Sequence, residues 1–269
     1  MLPMVLSDKD TSFDGGGKHC ETRQVLPQYY PPNDITQFEY SSCGQCCCDE
    51  LSGRLDCQFS TDLRHLNHWP GNTKPSHLYL NHNNLQDIPF HLFNNNSEFR
   101  EVWFVDNKIE SLNLDRLETL AKSVKLLSFA YNALHEIVIP GTAFEELEIL
   151  DLPGNDIRTL EPMFFNNVRK LRNLTISDNK LMRLKDFGFS SLEYLEELKL
   201  DRNILTDISD KTFAGLNRLK HLDLSNNRLI QLKANQFQFT GGQLQELLLG
   251  NNRIKVIDDD AFKGLLSRT

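Results

Sequence analysis

From Leu171 to Leu181 the chain places apolar residues at the first, fourth, sixth and eleventh positions and an asparagine at the ninth. The frame returns at Leu195, Leu198, Leu200, Asn203 and Leu205, and again at Leu219, Leu222, Leu224, Asn227 and Leu229. Its asparagines are Asn83, Asn107, Asn132, Asn155, Asn179, Asn203, Asn227 and Asn252, separated by 24, 25, 23, 24, 24, 24 and 25 residues. The second half of each unit repeats as well. Phe165, Phe189, Phe213, Phe237 and Phe262 stand nineteenth, and Val168, Leu192, Leu216 and Leu265 stand twenty-second. Alternation of apolar and polar positions over about five residues predicts a short strand, then a tight turn at the asparagine and an irregular return. A unit of this size cannot bury its apolar edge alone. Stacked units bury a continuous leucine core with a phenylalanine spine behind it, so the pattern predicts a solenoid of short parallel strands lining a concave face.

The asparagines predict a structural ladder. Their amides carry two donors and an acceptor, and sharp turns leave backbone groups that need partners. A buried unpaired backbone group costs about 1–3 kcal/mol.

Less regular copies use the same slots. They are Leu78, Leu80, Asn83 and Leu85; Phe99, Val102, Phe104, Asn107 and Ile109; Val124, Leu127, Phe129, Asn132 and Leu134; Leu147, Leu150, Leu152, Asn155 and Ile157; and Leu244, Leu247, Leu249, Asn252 and Ile254. Eight copies of L-x-x-L-x-L-x-x-N-x-L in phase resemble the leucine-rich repeats of extracellular proteins. The dominant 24-residue period matches the extracellular class of that family. The resemblance implies an α/β solenoid, a right-handed superhelix with parallel strands inside and an irregular or 3₁₀ convex side. It divides the chain into residues 1–42, read as a flexible lead broken by Gly15–Gly17 and Pro31–Pro32; residues 43–74, a cysteine-rich N-terminal cap; and residues 75–269, eight repeats without a C-terminal cysteine cap.

All six cysteines lie at or before residue 57. An even, clustered set fits an oxidising, extracellular compartment. Cys43, Cys46, Cys48 and Cys57 give C-x2-C-x-C-x8-C, which resembles the disulfide-bound hairpin covering the first repeat in that family. The family pairing would be Cys43–Cys48 and Cys46–Cys57, although six cysteines permit fifteen connectivities. Cys20 and Cys47 depart from the motif and can pair with each other. Zinc is the competing reading of Cys43-x2-Cys46, with His65 and His68 nearby, but no second matching pair exists. No secretory leader is legible, because the apolar start Met1–Leu6 is too short and lacks basic residues.

A formal charge of −8 argues against nucleic-acid phosphate as partner. No apolar run approaches the roughly 18–20 residues of a membrane span. Nucleophile-elbow, zinc-protease, phosphate-loop and dinucleotide signatures are absent, so the chain reads as a non-catalytic binding module without cofactor. The acidic pairs Glu145–Glu146 and Glu196–Glu197 read as solvated strand edges, and Asp258–Asp260 as a solvated turn. Asn95 and Asn173 begin N-x-[ST] sequons. A glycan at Asn173 would rise from the concave side.

Binding chemistry is expected on outward strand positions. Tyr79, Trp103, Leu126, Ser128, Tyr131, Ile149 and Asp151 make the first four units aromatic and apolar, while the later ones, including Lys199, are charged. Aromatics grouped on a rigid face are typical of protein-docking hot spots. The alternative is that Tyr79 and Trp103 pack on each other in a ladder. The expected partner is a protein ligand of a secreted or cell-surface module, similar to slit-type and small-proteoglycan domains. An enzyme for which this chain is the non-catalytic subunit is the second expectation.

Overall fold

The computed structural model describes residues 41–43, 46–49, 53–58, 63, 75–93, 98–138, 141–238, 242–263 and 265. Strand β1 (Ser41–Cys43) and β2 (Cys46–Asp49) form an antiparallel hairpin, and β2 pairs antiparallel with β3 (Arg54–Asp56). From β3 onward every neighbour in this sheet is parallel: β4 (His77–Tyr79), β5 (Glu101–Trp103), β7 (Leu126–Ser128), β9 (Ile149–Asp151), β10 (Asn173–Thr175), β11 (Glu197–Lys199), β12 (His221–Asp223) and β14 (Glu246–Leu248). The eight strands β4 to β14 are thus joined by seven turns of a parallel solenoid. Short pairs on the return side, β6 (Ser111–Asn113) with β8 (Glu136–Val138) and β13 (Gln231–Leu232) with β15 (Val256–Ile257), make two small sheets of their own. Elsewhere the returns hold 3₁₀ turns at Phe90–Leu92, Leu114–Leu120 and Pro162–Phe165.

Register follows from the repeat period. Leu78 lies beside Val102, then Leu127, Leu150, Leu174, Leu198, Leu222 and Leu247 in turn. Because strand side chains alternate between faces, the central leucine of each strand enters one buried row while its two neighbours face the concave side. Seven of the eight central residues are essentially inaccessible, and Leu247 is partly buried. Behind them Phe165, Phe189, Phe213, Phe237 and Phe262 stack ring on ring, with centroids 5.5–6.4 Å apart. A second stack joins Phe104 to Phe129.

The asparagines carry the turns. From Asn107 to Asn252 each Oδ1 accepts a backbone N–H of the preceding unit. Asn179 accepts from Ile157 at 3.0 Å, and its Nδ2 donates to the Leu152 carbonyl of the preceding unit at 2.9 Å and to the Ser177 carbonyl of its own at 3.0 Å. One amide therefore stitches two consecutive turns. The residue before each ladder asparagine is left-handed: His82, Asp106, Tyr131, Gly154, Asp178, Arg202, Asn226 and Asn251 have φ between 51° and 67°. That conformation aims the next side chain inward.

At the N-terminal end of the sheet Cys46 and Cys57 form a disulfide, with both residues fully buried. Cys47 is also disulfide-bonded. The side chains of Cys43 and Cys48 lie outside the described residues, as do Cys20 and the sequon residue Asn95.

Replacing Asn179 with alanine should lower stability by about 1–3 kcal/mol, because it strips partners from turn groups in two units. A urea melt reads this directly, and an unchanged midpoint would refute the ladder's role in stability.

Candidate protein-docking face

Two chemically distinct halves share the concave face. In the first, Tyr79 and Trp103 occupy matched positions on β4 and β5 and stack, with centroids 6.2 Å apart and planes 18° from parallel. Arg54 on β3 closes this stack. Its guanidinium lies 5.4 Å from the Tyr79 ring centroid and donates to Tyr79 Oη at 3.0 Å. Val105, Leu126 and Ala130 complete an apolar cluster separate from the leucine core, and Ile149 packs against it.

This arrangement corrects the exposure expected from the strand frame. Tyr79, Trp103, Leu126 and Ser128 are 3%, 8%, 9% and 1% exposed. They sit on the predicted face but are buried there, since large side chains in register on adjacent strands cover one another. The packing alternative describes Tyr79 and Trp103. Of the aromatic set, Tyr131 stays open, at 41% exposure.

Tyr131 has an unusual seat. It is a bulky residue at φ 55°, where short polar residues or glycine are usual. Its ring covers Gly154, the left-handed residue of the next unit. A β-carbon built on Gly154 would lie 2.5 Å from Tyr131 Cδ1. Glycine at this one turn thus makes room for the ring, next in the chain to Ala130 of the apolar cluster.

The second half is polar. Asp151, Thr175, Lys199 and Asp223 run side by side across β9 to β12. Burial pushes the Asp151 carboxyl above its ordinary value, and the charge of Glu197 adds to this. Hydrogen bonding by Thr175 and the charge of Lys199 pull it partly back. Burial draws the Lys199 ammonium down, but Glu197, 2.6 Å away, and the charges of Asp151 and Asp201 outweigh that, and its net shift is upward. Asp201 is buried, taking a hydrogen bond from Ser177 and pairing with Arg202 at 2.9 Å. Asn173 is half-buried on β10 and donates to Glu197 at 2.7 Å. A glycan on it would rise between the two halves.

Histidine–carboxylate pairs join successive units: His77 with Glu101 at 3.6 Å, His82 with Asp106 at 2.7 Å, and His221 with Glu246 at 3.3 Å. Hydrogen bonding to His77 holds Glu101 below the ordinary carboxylate range despite its burial.

Beside the strands runs an alternating ion ladder, Lys125–Glu148–Arg172–Glu196–Lys220, with separations of 2.5–3.9 Å. Glu146 pairs with Lys170 at 2.7 Å. Glu146 and Glu196 are therefore ion-paired rather than simply solvated, since the 24-residue period brings opposite charges into register, and Glu197 pairs with Lys199 on its own strand. The Asp258–Asp260 turn is held by backbone bonds, with Asp260 accepting from Asn235 and Asp258 from Ala261. No group of three metal-binding side chains occurs among the described residues.

A family model described as leucine rich repeat matches residues 145–203, 169–229 and 193–240. Residues 145–240 thus match leucine-rich repeats. Such domains are typical protein-binding modules and generally non-catalytic scaffolds. Among solved structures, the chain is similar to Toll in the Toll–Spatzle complex of Drosophila, at 25% identity over 70% of this chain and 30% of that one, with a TM-score of 0.55. It also shares its fold with an internalin from Listeria monocytogenes, at 23% identity over 79% of this chain and 57% of that one, TM-score 0.57. The TLR13 chain of a complex with single-stranded RNA gives 23% over 72% of this chain and 24% of its own length, TM-score 0.53. An adenylate cyclase of Schizosaccharomyces pombe is 31% identical over 111 residues, 40% of this chain but 6% of that protein. The chain thus spans only a small part of that curated relative and less than two thirds of each of these structures.

Asp151→Asn should raise the urea midpoint at pH 7. A carboxyl whose folded value is raised binds its proton more tightly in the folded state, so its charged form opposes folding at neutral pH and the penalty fades as pH falls through the folded value. The variant's advantage should vanish below the ordinary aspartate range. An advantage that persists unchanged at pH 3 would overturn this assignment. Gly154→Ala should lose about 1–2 kcal/mol from left-handed strain, plus the clash with Tyr131. In a Tyr131→Ala background the clash component should disappear. Equal penalties in both backgrounds would mean that ring and glycine are not coupled.

Proposed function

We propose that this chain is an extracellular, non-catalytic binding module that docks a protein ligand on its concave face, with Tyr131 as the central contact. The observation that carries this reading is the open Tyr131 ring, held in a left-handed turn against Gly154 and following Ala130 of a self-packed apolar cluster. A bulky side chain kept in a sparsely populated conformation is strain of the kind found at ligand clamps. The ring is also rigid, so little ordering entropy opposes contact. Trp103 and Tyr79 form the packed apolar part of the same face, while Ile149, Asp151 and Lys199 extend the contact along it. Burial of Trp103 moves it from direct contact to support, so its truncation would weaken binding by loosening the packed part of the face. Disulfide bonds at Cys46–Cys57 and Cys47, and the sequon at Asn173, support an extracellular setting. The similarity to Toll, whose structure is of a glycosylated complex with Spatzle, agrees with it.

A photoreactive phenylalanine analogue placed at Tyr131 tests the reading, with the same analogue at Met163, 75% exposed on the return side, as control. In native extracellular fluid or at the cell surface, the Tyr131 probe should give a discrete protein adduct that the Met163 probe does not. Adducts of equal yield, or from Met163 alone, would reject the concave site. An enzyme in the Tyr131 adduct would identify the chain as that enzyme's non-catalytic subunit.

A further inference from the structure

Charge on this protein is distributed unevenly between its faces. Beside the strands, the ladder from Lys125 to Lys220 alternates in sign and is internally paired. The return side pairs Lys185 with Glu161 and Lys233 with Asp207, and carries Arg158, Arg183 and Lys211 as well as Glu193 and Asp210. Among the described residues, six carboxylates on the concave face from β9 to β14, Asp151, Asp178, Glu197, Asp201, Asp223 and Glu246, share it with two Lys or Arg side chains, Lys199 and Arg202, and with His221. Both cations are already engaged, Lys199 by Glu197 at 2.6 Å and Arg202 by Asp201 at 2.9 Å. Among the described residues Asp178, Asp223 and Glu246 have no Lys or Arg partner. Asp223 takes only the Ser225 backbone N–H, at 2.8 Å, and Glu246 faces His221.

Resting on the concave-docking reading above, we infer that the half of the face from β9 to β14 receives a basic polypeptide segment of the ligand, its Lys or Arg side chains meeting Asp178, Asp223 and Glu246. The apolar half is closed by its own aromatic stack, whereas this half presents polar side chains outward, with no covering element among the described residues. Its geometry sets the length of the segment. Four inter-strand steps at ~4.8 Å span about 19 Å, which matches roughly six extended residues or about thirteen in a helix. The same charges reject a phosphate backbone, so nucleic acid is excluded from this half. The half-buried Asp151, kept charged only against burial, gains a counter-charge when the segment arrives. Steering by the unpaired carboxylates would make association strongly salt-dependent.

The test uses the whole chain and two sixteen-residue peptides, one of alternating Ala and Lys, the other of alternating Ala and Glu. Fluorescence anisotropy should show the Lys peptide binding and the Glu peptide not, with the affinity falling steeply as salt rises. The triple variant Asp178→Asn, Asp223→Asn, Glu246→Gln should weaken the Lys peptide tenfold or more. A triple variant of equal charge on the return side, Glu118→Gln, Glu193→Gln, Asp210→Asn, should change it less than twofold. Equal weakening by both triples would reduce the effect to net charge and overturn the inference. So would failure of the Lys peptide to bind, or binding of a single-stranded RNA in its place. These results are separable from those of the docking reading. A protein adduct at Tyr131 with no Lys-peptide binding overturns the basic segment and leaves the site, whereas loss of the Tyr131 adduct removes the site itself.

Discussion

Backbone satisfaction at the turn is the constraint on which the rest of this molecule depends. A three-residue strand makes few ladder bonds, and the sharp turn after it leaves N–H and C=O groups that buried surroundings cannot hydrate. The asparagine side chain resolves this by acting as a piece of backbone. Its oxygen takes an N–H from the preceding unit and its nitrogen serves carbonyls in both units. The same bonds form whether successive asparagines stand 23, 24 or 25 residues apart, so the amide fixes the turn while the return absorbs the difference in length. Leucine burial supplies the driving force, but leucines alone tolerate slippage, and directional bonds do not.

Once the period is fixed, everything at equal phase falls into rows. Phenylalanines stack at about 6 Å across the return side, alternating charges pair along the strand edge, and aromatic residues at matched strand positions cover one another. This explains what the sequence revealed and where it misled. The solenoid, the strand positions and the asparagine bonds follow from spacing, because spacing is one-dimensional. Exposure is not. Tyr79 and Trp103 stand at outward positions, yet their burial depends on what stands one unit away, and on Arg54 beyond. The sequence did hold that signal: two aromatics one period apart in the same slot, which is the spacing of a stack.

The left-handed residue before each asparagine was not predicted, although its residue types carry the signal. Six of the eight are Asp, Asn, His or Gly, residues that adopt positive φ with least strain. Tyr131 and Arg202 are the exceptions, and only Tyr131 is matched by a glycine in the following unit. Spacing alone says nothing of why a tyrosine is tolerated there. The answer lies in the close approach of its ring to Gly154, a contact between units that needs three dimensions to see.

The concave face is where the molecule departs from its own economy of pairing. Elsewhere the period brings opposite charges together, as between Arg172 and Glu196, and such exposed pairs contribute little stability but leave no field. On β9 to β14 the same period places Asp151, Asp178, Asp223 and Glu246 without Lys or Arg ion pairs among the described residues, and burial raises the proton affinity of Asp151. A charge kept where it opposes folding, on the one face whose strands hold it rigid, is the form that a stability–function compromise takes. The apolar half meets the same compromise differently, by straining a single tyrosine. Both departures lie on one rigid surface and face the same solvent, so a ligand that relieves either would be held in register with the other.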